Sequence, residues 1–94
     1  MAEKLSDSEV DQALTRLGGW NREGDVIVNW YELPSFPAAI EFVGRVAELA
    51  EAADHHPDLD IRYTRVRVAL STHDAGGLTQ KDFDLATRIE ATAP

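Results

Sequence analysis

The side chains best suited to chemistry in this chain are its three histidines, His55, His56 and His73, which fall within a span of nineteen residues. Imidazole has an unperturbed pKa of about 6.5, so it gives and takes protons near neutral pH, and three together form a candidate acid/base site. Glu51 stands one helical turn before His55, placed to accept a hydrogen bond from that ring and to favour its protonated form. Two other readings compete. The same residues would suit a solvated helix end, where cationic histidine is favoured by the helix dipole. Three imidazoles and a carboxylate would also hold zinc with one open position, although adjacent histidines in an extended loop point apart and no HExxH spacing occurs. Spacing alone does not choose between an acid/base site and a polar helix end. No serine lies in a GxSxG setting that would favour nucleophilic attack.

Ninety-four residues suffice for one compact domain, residues 1–94, with no room for a second core, so any site must lie near the surface or between subunits. The absence of cysteine removes disulfides, thiolate nucleophiles and sulfur-ligated zinc together. A formal charge of -8 repels phosphate backbones and argues against nucleic acid, while an anionic or neutral small molecule stays open as a ligand. Arg62, Arg65 and Arg67 are the one local concentration of basic residues; they read as a solvated strand face or a protected edge. No run approaches the roughly 20 apolar residues of a membrane span. The opening MAEKLSDSEV lacks a basic region followed by an apolar run, so the expectation is a cytoplasmic protein.

The elements that must position the histidines follow from pattern. Ser6-Asp7-Ser8-Glu9 has the form of a capping box, with Leu5 and Val10 placed as a hydrophobic staple. Val10, Ala13, Leu14 and Leu17 continue at helical spacing until Gly18-Gly19. From Trp20 to Leu33, two short alternating runs flank Glu23-Gly24-Asp25 and predict a β-hairpin. Ser35 caps a long helix from Phe36 to about Asp54, whose stripes Phe36, Ile40, Val43, Ala47, Ala50 and Phe42, Val46, Leu49, Ala53 suggest the central core helix. Pro57 disfavours helix at His56, so the paired histidines sit at a helix-to-loop junction. A strand over about Ile61–Thr72 is expected next, with a short extra strand at DLDIRY as an option; its alternation points His73 away from Val66, Val68 and Leu70. Thr79 then caps the last helix, with Asp82 at the capping-box position and Leu78 stapling onto Phe83. Trp20 and Trp30 read as packing residues. The order predicts an antiparallel sheet with its helices on one face.

Glu51-Ala52-Ala53-Asp54-His55-His56-Pro57, followed by Tyr63, Ser71-Thr72-His73-Asp74, Gly77-Leu78-Thr79 and Asp82, resembles the pterin-4a-carbinolamine dehydratases over nearly the whole chain. Gly19-Trp20, the hairpin after it and Phe36-Pro37-Ala38-Ala39 agree with that likeness. The resemblance implies an α+β fold, a four-stranded antiparallel sheet with three helices packed on one face. It implies a metal-free hydro-lyase without a cofactor that removes water from a 4a-hydroxytetrahydropterin and so recycles the pterin of aromatic amino acid hydroxylases. By resemblance His55, His56 and His73 are the catalytic residues, with Glu51, Thr72 and Asp82 binding substrate or supporting them. It further implies a homodimer with sheets joined edge to edge, or a homotetramer joined through helices. Animal members also act as dimerisation partners of a homeodomain transcription factor, so a protein-binding module without a catalytic role is the alternative, beside a histidine-ligated metal protein. One departure is Leu59, where animal members carry an aromatic residue, which implies a different wall near the ligand.

Overall fold

A computed structural model describes residues 3–94. Met1 and Ala2, part of both the expected domain and the opening segment read above, lie outside the described residues. The first helix, α1 (Asp7–Arg16), starts on the expected capping box: Ser6 Oγ accepts from the Glu9 amide and Glu9 Oε1 from the Ser6 amide. Val10 is fully buried and Leu5 packs against the core. The chain leaves α1 through Gly19, whose φ of +90° and closeness to the Asn29 amide both favour a residue without a Cβ.

Two strands follow, β1 (Asn21–Glu23) and β2 (Val26–Glu32), antiparallel around a two-residue turn at Gly24-Asp25. Next come the long helix α2 (Phe36–Ala53), strands β3 (Asp58–Arg62) and β4 (Arg65–Leu70), and helix α3 (Gln80–Thr92). All pairings are antiparallel, in the order β1-β2-β4-β3, so α2 carries the chain across β4 to the far edge. The helices cover the face presenting Ile27, Tyr31, Val66, Val68 and Leu70, and Ala39, Phe42, Val46 and Ala50 of α2 join these residues in one core. This is the α+β architecture expected: a four-stranded antiparallel sheet and three helices.

Three expectations need correction. The segment Ile61–Thr72 is not one strand: the chain reverses at Tyr63-Thr64, with Tyr63 left-handed at φ +55°, and the DLDIR stretch forms the short separate strand that was the other option, at the sheet edge. Only part of the α2 apolar pattern is core, because Phe36 and Ile40 are 46% and 44% exposed and Ala47 and Ala53 also face solvent. Trp30 does not pack inside; it lies on the open sheet face beneath the Arg65 guanidinium, 4.4 Å from the ring centroid. Leu59 points to the helix side, packs against the core and pairs with Val68 across the strands.

The arginine set behaves as a solvated strand face. Arg62 bonds Asp60, Arg67 bonds Glu23 and Arg65 lies 3.9 Å from Glu32. Arg62 holds the Asp60 carboxyl below the usual range, and Asp60 in turn raises Arg62. Among the described residues no helix is long and apolar enough to cross a membrane.

A polar anchor ties the end of α3 to the sheet. Glu90 Oε1 accepts from Trp20 Nε1 at 3.1 Å, from Asn29 Nδ2 at 3.0 Å and from the Tyr31 hydroxyl. Burial, then the hydrogen bond to Glu90, raises the Tyr31 pKa well above that of a free phenol. In the unfolded chain the phenol ionises near pH 10, whereas the fold retains its proton. The unfolded state therefore binds fewer protons above that pH, and stability falls as pH rises. Urea midpoints at about pH 9 and 11 should diverge less in Tyr31→Phe than in the parent chain; equal divergence would discount the Tyr31 contribution.

Candidate active site

The end of α2 sets the first histidine. Asp54 adopts the left-handed conformation at φ 49°, its N–H returning to the Ala50 and Glu51 carbonyls, and the His55 N–H also bonds the Ala50 carbonyl. This closure of the helix end turns His55 inward, toward α3. There His55 Nε2 donates to Asp82 Oδ1 at 2.6 Å, and the imidazole is only 11% exposed. With the Nε2 proton committed to Asp82, Nδ1 is the nitrogen left for proton exchange.

Asp82 is wholly buried and explains its burial through its partners. Its Oδ2 accepts from the Thr79 amide at 2.9 Å, completing the α3 capping box, and from Thr72 Oγ1 at 2.8 Å. Each threonine hydroxyl carries one proton. Since Thr72 gives its proton to Asp82, the 2.8 Å contact between the hydroxyls is a donation from Thr79 to Thr72. Thr79, Thr72 and His55 thus all point hydrogen toward one carboxylate, directly or in relay. Asp82 thus fills the capping position read for it while its other carboxylate oxygen takes the His55 ring.

His56 takes the other direction. Its Nε2 bonds Glu51 Oε2 at 2.5 Å, and both side chains are exposed. Glu51 therefore partners His56, not His55 as expected, because the left-handed turn at Asp54 interrupts the helical spacing that would have stacked His55 over Glu51. His73 opens a short 3-10 turn (His73–Ala75) that Gly76 closes at φ +74°. Strand β4 has already ended at Leu70, and Thr72 instead bridges to Gly77. His73 is exposed, as expected, but through this turn and not by strand alternation.

These loops enclose an open cleft of about 240 Å³ that brings together His55, His56, Thr72 and His73. Glu51 reaches the cleft through His56 and Asp82 through His55 and Thr72. Asp54, Ser71, Asp74 and Lys81 also line it, and their site placement was not read from the sequence. Asp54 and Asp74 adjoin the histidines in the chain, which was the available signal; Lys81 had none. The arrangement offers three imidazoles of different exposure around one polar opening, which suits proton transfer to and from a small ligand. Among the described residues, no three His, Asp or Glu side chains converge as metal ligands.

Helices on one face of a four-stranded antiparallel sheet, with a histidine cleft at the α2–β3 and β4–α3 junctions, define the structural class. The family model described as pterin 4 alpha carbinolamine dehydratase matches residues 3–92, and the chain belongs to that family. A protein of Roseiflexus sp. (strain RS-1), provisionally named a pterin-4-alpha-carbinolamine dehydratase, is 61% identical over 90 residues, covering 96% of this chain and 97% of the relative. The crystal structure of a transcriptional coactivator/pterin dehydratase from Brucella melitensis superposes with a TM-score of 0.94 at 34% identity, covering 98% of this chain and all of that one. A pterin dehydratase-like protein described as a RuBisCO assembly factor in the alpha-carboxysome shares the fold at TM-score 0.66 and 21% identity, over 78% of this chain and 87% of its own.

Proposed function

We propose that this protein dehydrates a 4a-hydroxytetrahydropterin to the quinonoid dihydropterin by histidine acid/base catalysis. The observation that carries the reading is the convergence of His55, His56 and His73 on one open cleft, with two of the rings held by carboxylates. Family membership supplies the substrate class. In the reaction the C4a–O bond breaks, the departing hydroxyl takes a proton from an acid and leaves as water, and a base removes a proton from the pterin as nitrogen electrons expel it. One proton is given and one taken, so the protein ends unchanged in protonation.

His56, exposed beside Glu51, and His55, clamped on Asp82, are the principal acid/base pair; His73 positions the pterin and shares in proton transfer. Glu51 and Asp82 orient the rings, and Thr72 holds Asp82 in place. The protein acts in the cytoplasm as a single-domain homodimer or homotetramer, and it recycles the pterin of an aromatic amino acid hydroxylase. The unpaired edge of β3 and the exposed Phe36 and Ile40 on α2 support such assembly. The Brucella melitensis relative's name joins coactivator to dehydratase, so a protein-binding role is the second reading, and the same exposed residues favour it.

The test supplies freshly generated 4a-hydroxytetrahydropterin from an aromatic amino acid hydroxylase and follows its dehydration with and without the protein. Acceleration is expected, and it should survive exhaustive chelation. Decay at the uncatalysed rate would remove the enzyme reading, while loss of activity on chelation would restore the zinc one.

A further inference from the structure

A second cleft of about 220 Å³ adjoins the first, sharing His55 and Lys81 with it and running between the end of α2 and the outer side of α3. Its α3 wall is a single stripe, Lys81, Asp84, Leu85 and Arg88, spaced by three, four and seven residues. Two helical turns separate Lys81 from Arg88, about 10 Å along the axis. The charges along this path are ordered. Carboxylates Asp54 and Asp74 line the histidine cleft, Lys81 stands at the junction, and Arg88 lies at the far end.

The cations are also free to bind. Of the nine Lys and Arg side chains, Arg22, Arg62, Arg65 and Arg67 are in ion pairs among the described residues; the other five are not, and of those Lys81 and Arg88 line this cleft. The one carboxylate between them on the cleft wall, Asp84, accepts a hydrogen bond from Gln80. In a chain of net charge -8, Lys81 and Arg88 outnumber the single carboxylate Asp84 along the second cleft, which leaves its lining with a net positive charge.

We propose that this second cleft is a subsite for an anionic side chain carried by the pterin, a phosphate or a carboxylate, with Lys81 and Arg88 as its ligands. The substrate class becomes pterins whose ring occupies the histidine cleft and whose charged tail lies along α3. The inference rests on the dehydratase reading for the identity of the ring. It selects among pterins by a charge-assisted contact remote from the reacting carbon.

The experiment measures equilibrium binding, by fluorescence at low salt, of a 7,8-dihydropterin with a neutral trihydroxypropyl tail, of its phosphate ester, and of a dihydropterin whose tail ends in a glutamate carboxylate. At least one anionic ligand should bind about tenfold more tightly than the neutral one, and the stronger of the two identifies the anion. Lys81→Met and Arg88→Met should each bring that ratio toward one, and added salt should do the same. Equal affinity for all three ligands, or a preference untouched by both substitutions, would overturn the subsite. Anion preference in a protein that dehydrates nothing would sink only the catalytic reading, and dehydration without anion preference only the subsite. Failure to bind any of the pterins would sink both.

Discussion

Replacing His56 with alanine is expected to lower kcat/KM for dehydration by about 100- to 10,000-fold, the usual contribution of one general acid or base. Folding should scarcely change. His56 is an exposed loop residue whose one side-chain partner among the described residues is the exposed Glu51, and such pairs contribute little to stability. The thermal midpoint should therefore move by no more than about 4 °C. His56→Gln sharpens the test, because its amide can still bond Glu51 but cannot relay a proton. It should fall as far as alanine. A rate close to the parent's in either variant would move the acid/base role to His55 and His73.

The second large effect is on stability. Asp82→Ala removes the carboxylate that accepts from the Thr72 hydroxyl, the Thr79 amide and the His55 Nε2–H at a fully buried position. Donors stranded in the interior cost far more than the net worth of the bonds they formed, so a loss of about 3–5 kcal/mol in urea unfolding is expected. That is a large share of the roughly 5–15 kcal/mol that holds an ordinary domain. Asp82→Asn separates structure from catalysis. Its remaining carbonyl oxygen can serve Thr72 and the cap, but its NH₂ then faces a ring nitrogen that is itself a donor. His55 must change tautomer or turn away. Activity should drop at least about tenfold with most of the stability kept, in the way a mis-set tautomer disables other imidazole bases. Activity that merely tracks the folded fraction would show Asp82 to be a helix cap and nothing more.

What could be read from the sequence was mostly local. Both capping boxes, at Ser6/Glu9 and Thr79/Asp82, form as written, because a cap is decided within four residues. Pro57 likewise placed the end of α2. The reversal at Tyr63-Thr64 was legible only as the optional short strand at DLDIRY, because neither residue is a usual turn former and the run around them is rich in strand formers. For α2, periodicity gave the stripes without telling which would meet the sheet; Phe36 and Ile40 were assigned inward and lie outward. The partners of Glu51 and His55 exchanged for a related reason. Helical spacing extrapolates only while the helix lasts, and Asp54 ends it in a left-handed turn that no glycine announces. Longer-range polar contacts had no local signature at all. Glu90 collects donors from residues 59 to 70 positions away, and Lys81 enters both clefts only because α3 packs beside the end of α2.

The most direct measurement of the central claim is an NMR titration of the three imidazoles, assigned by single substitution, with a stable 7,8-dihydropterin. Ring signals of His55, His56 and His73 should all move along one saturating curve, while Phe36 and Ile40 on the outer face of α2 stay still. A ligand that binds without disturbing the histidines, or that shifts the α2 face instead, would contradict the site.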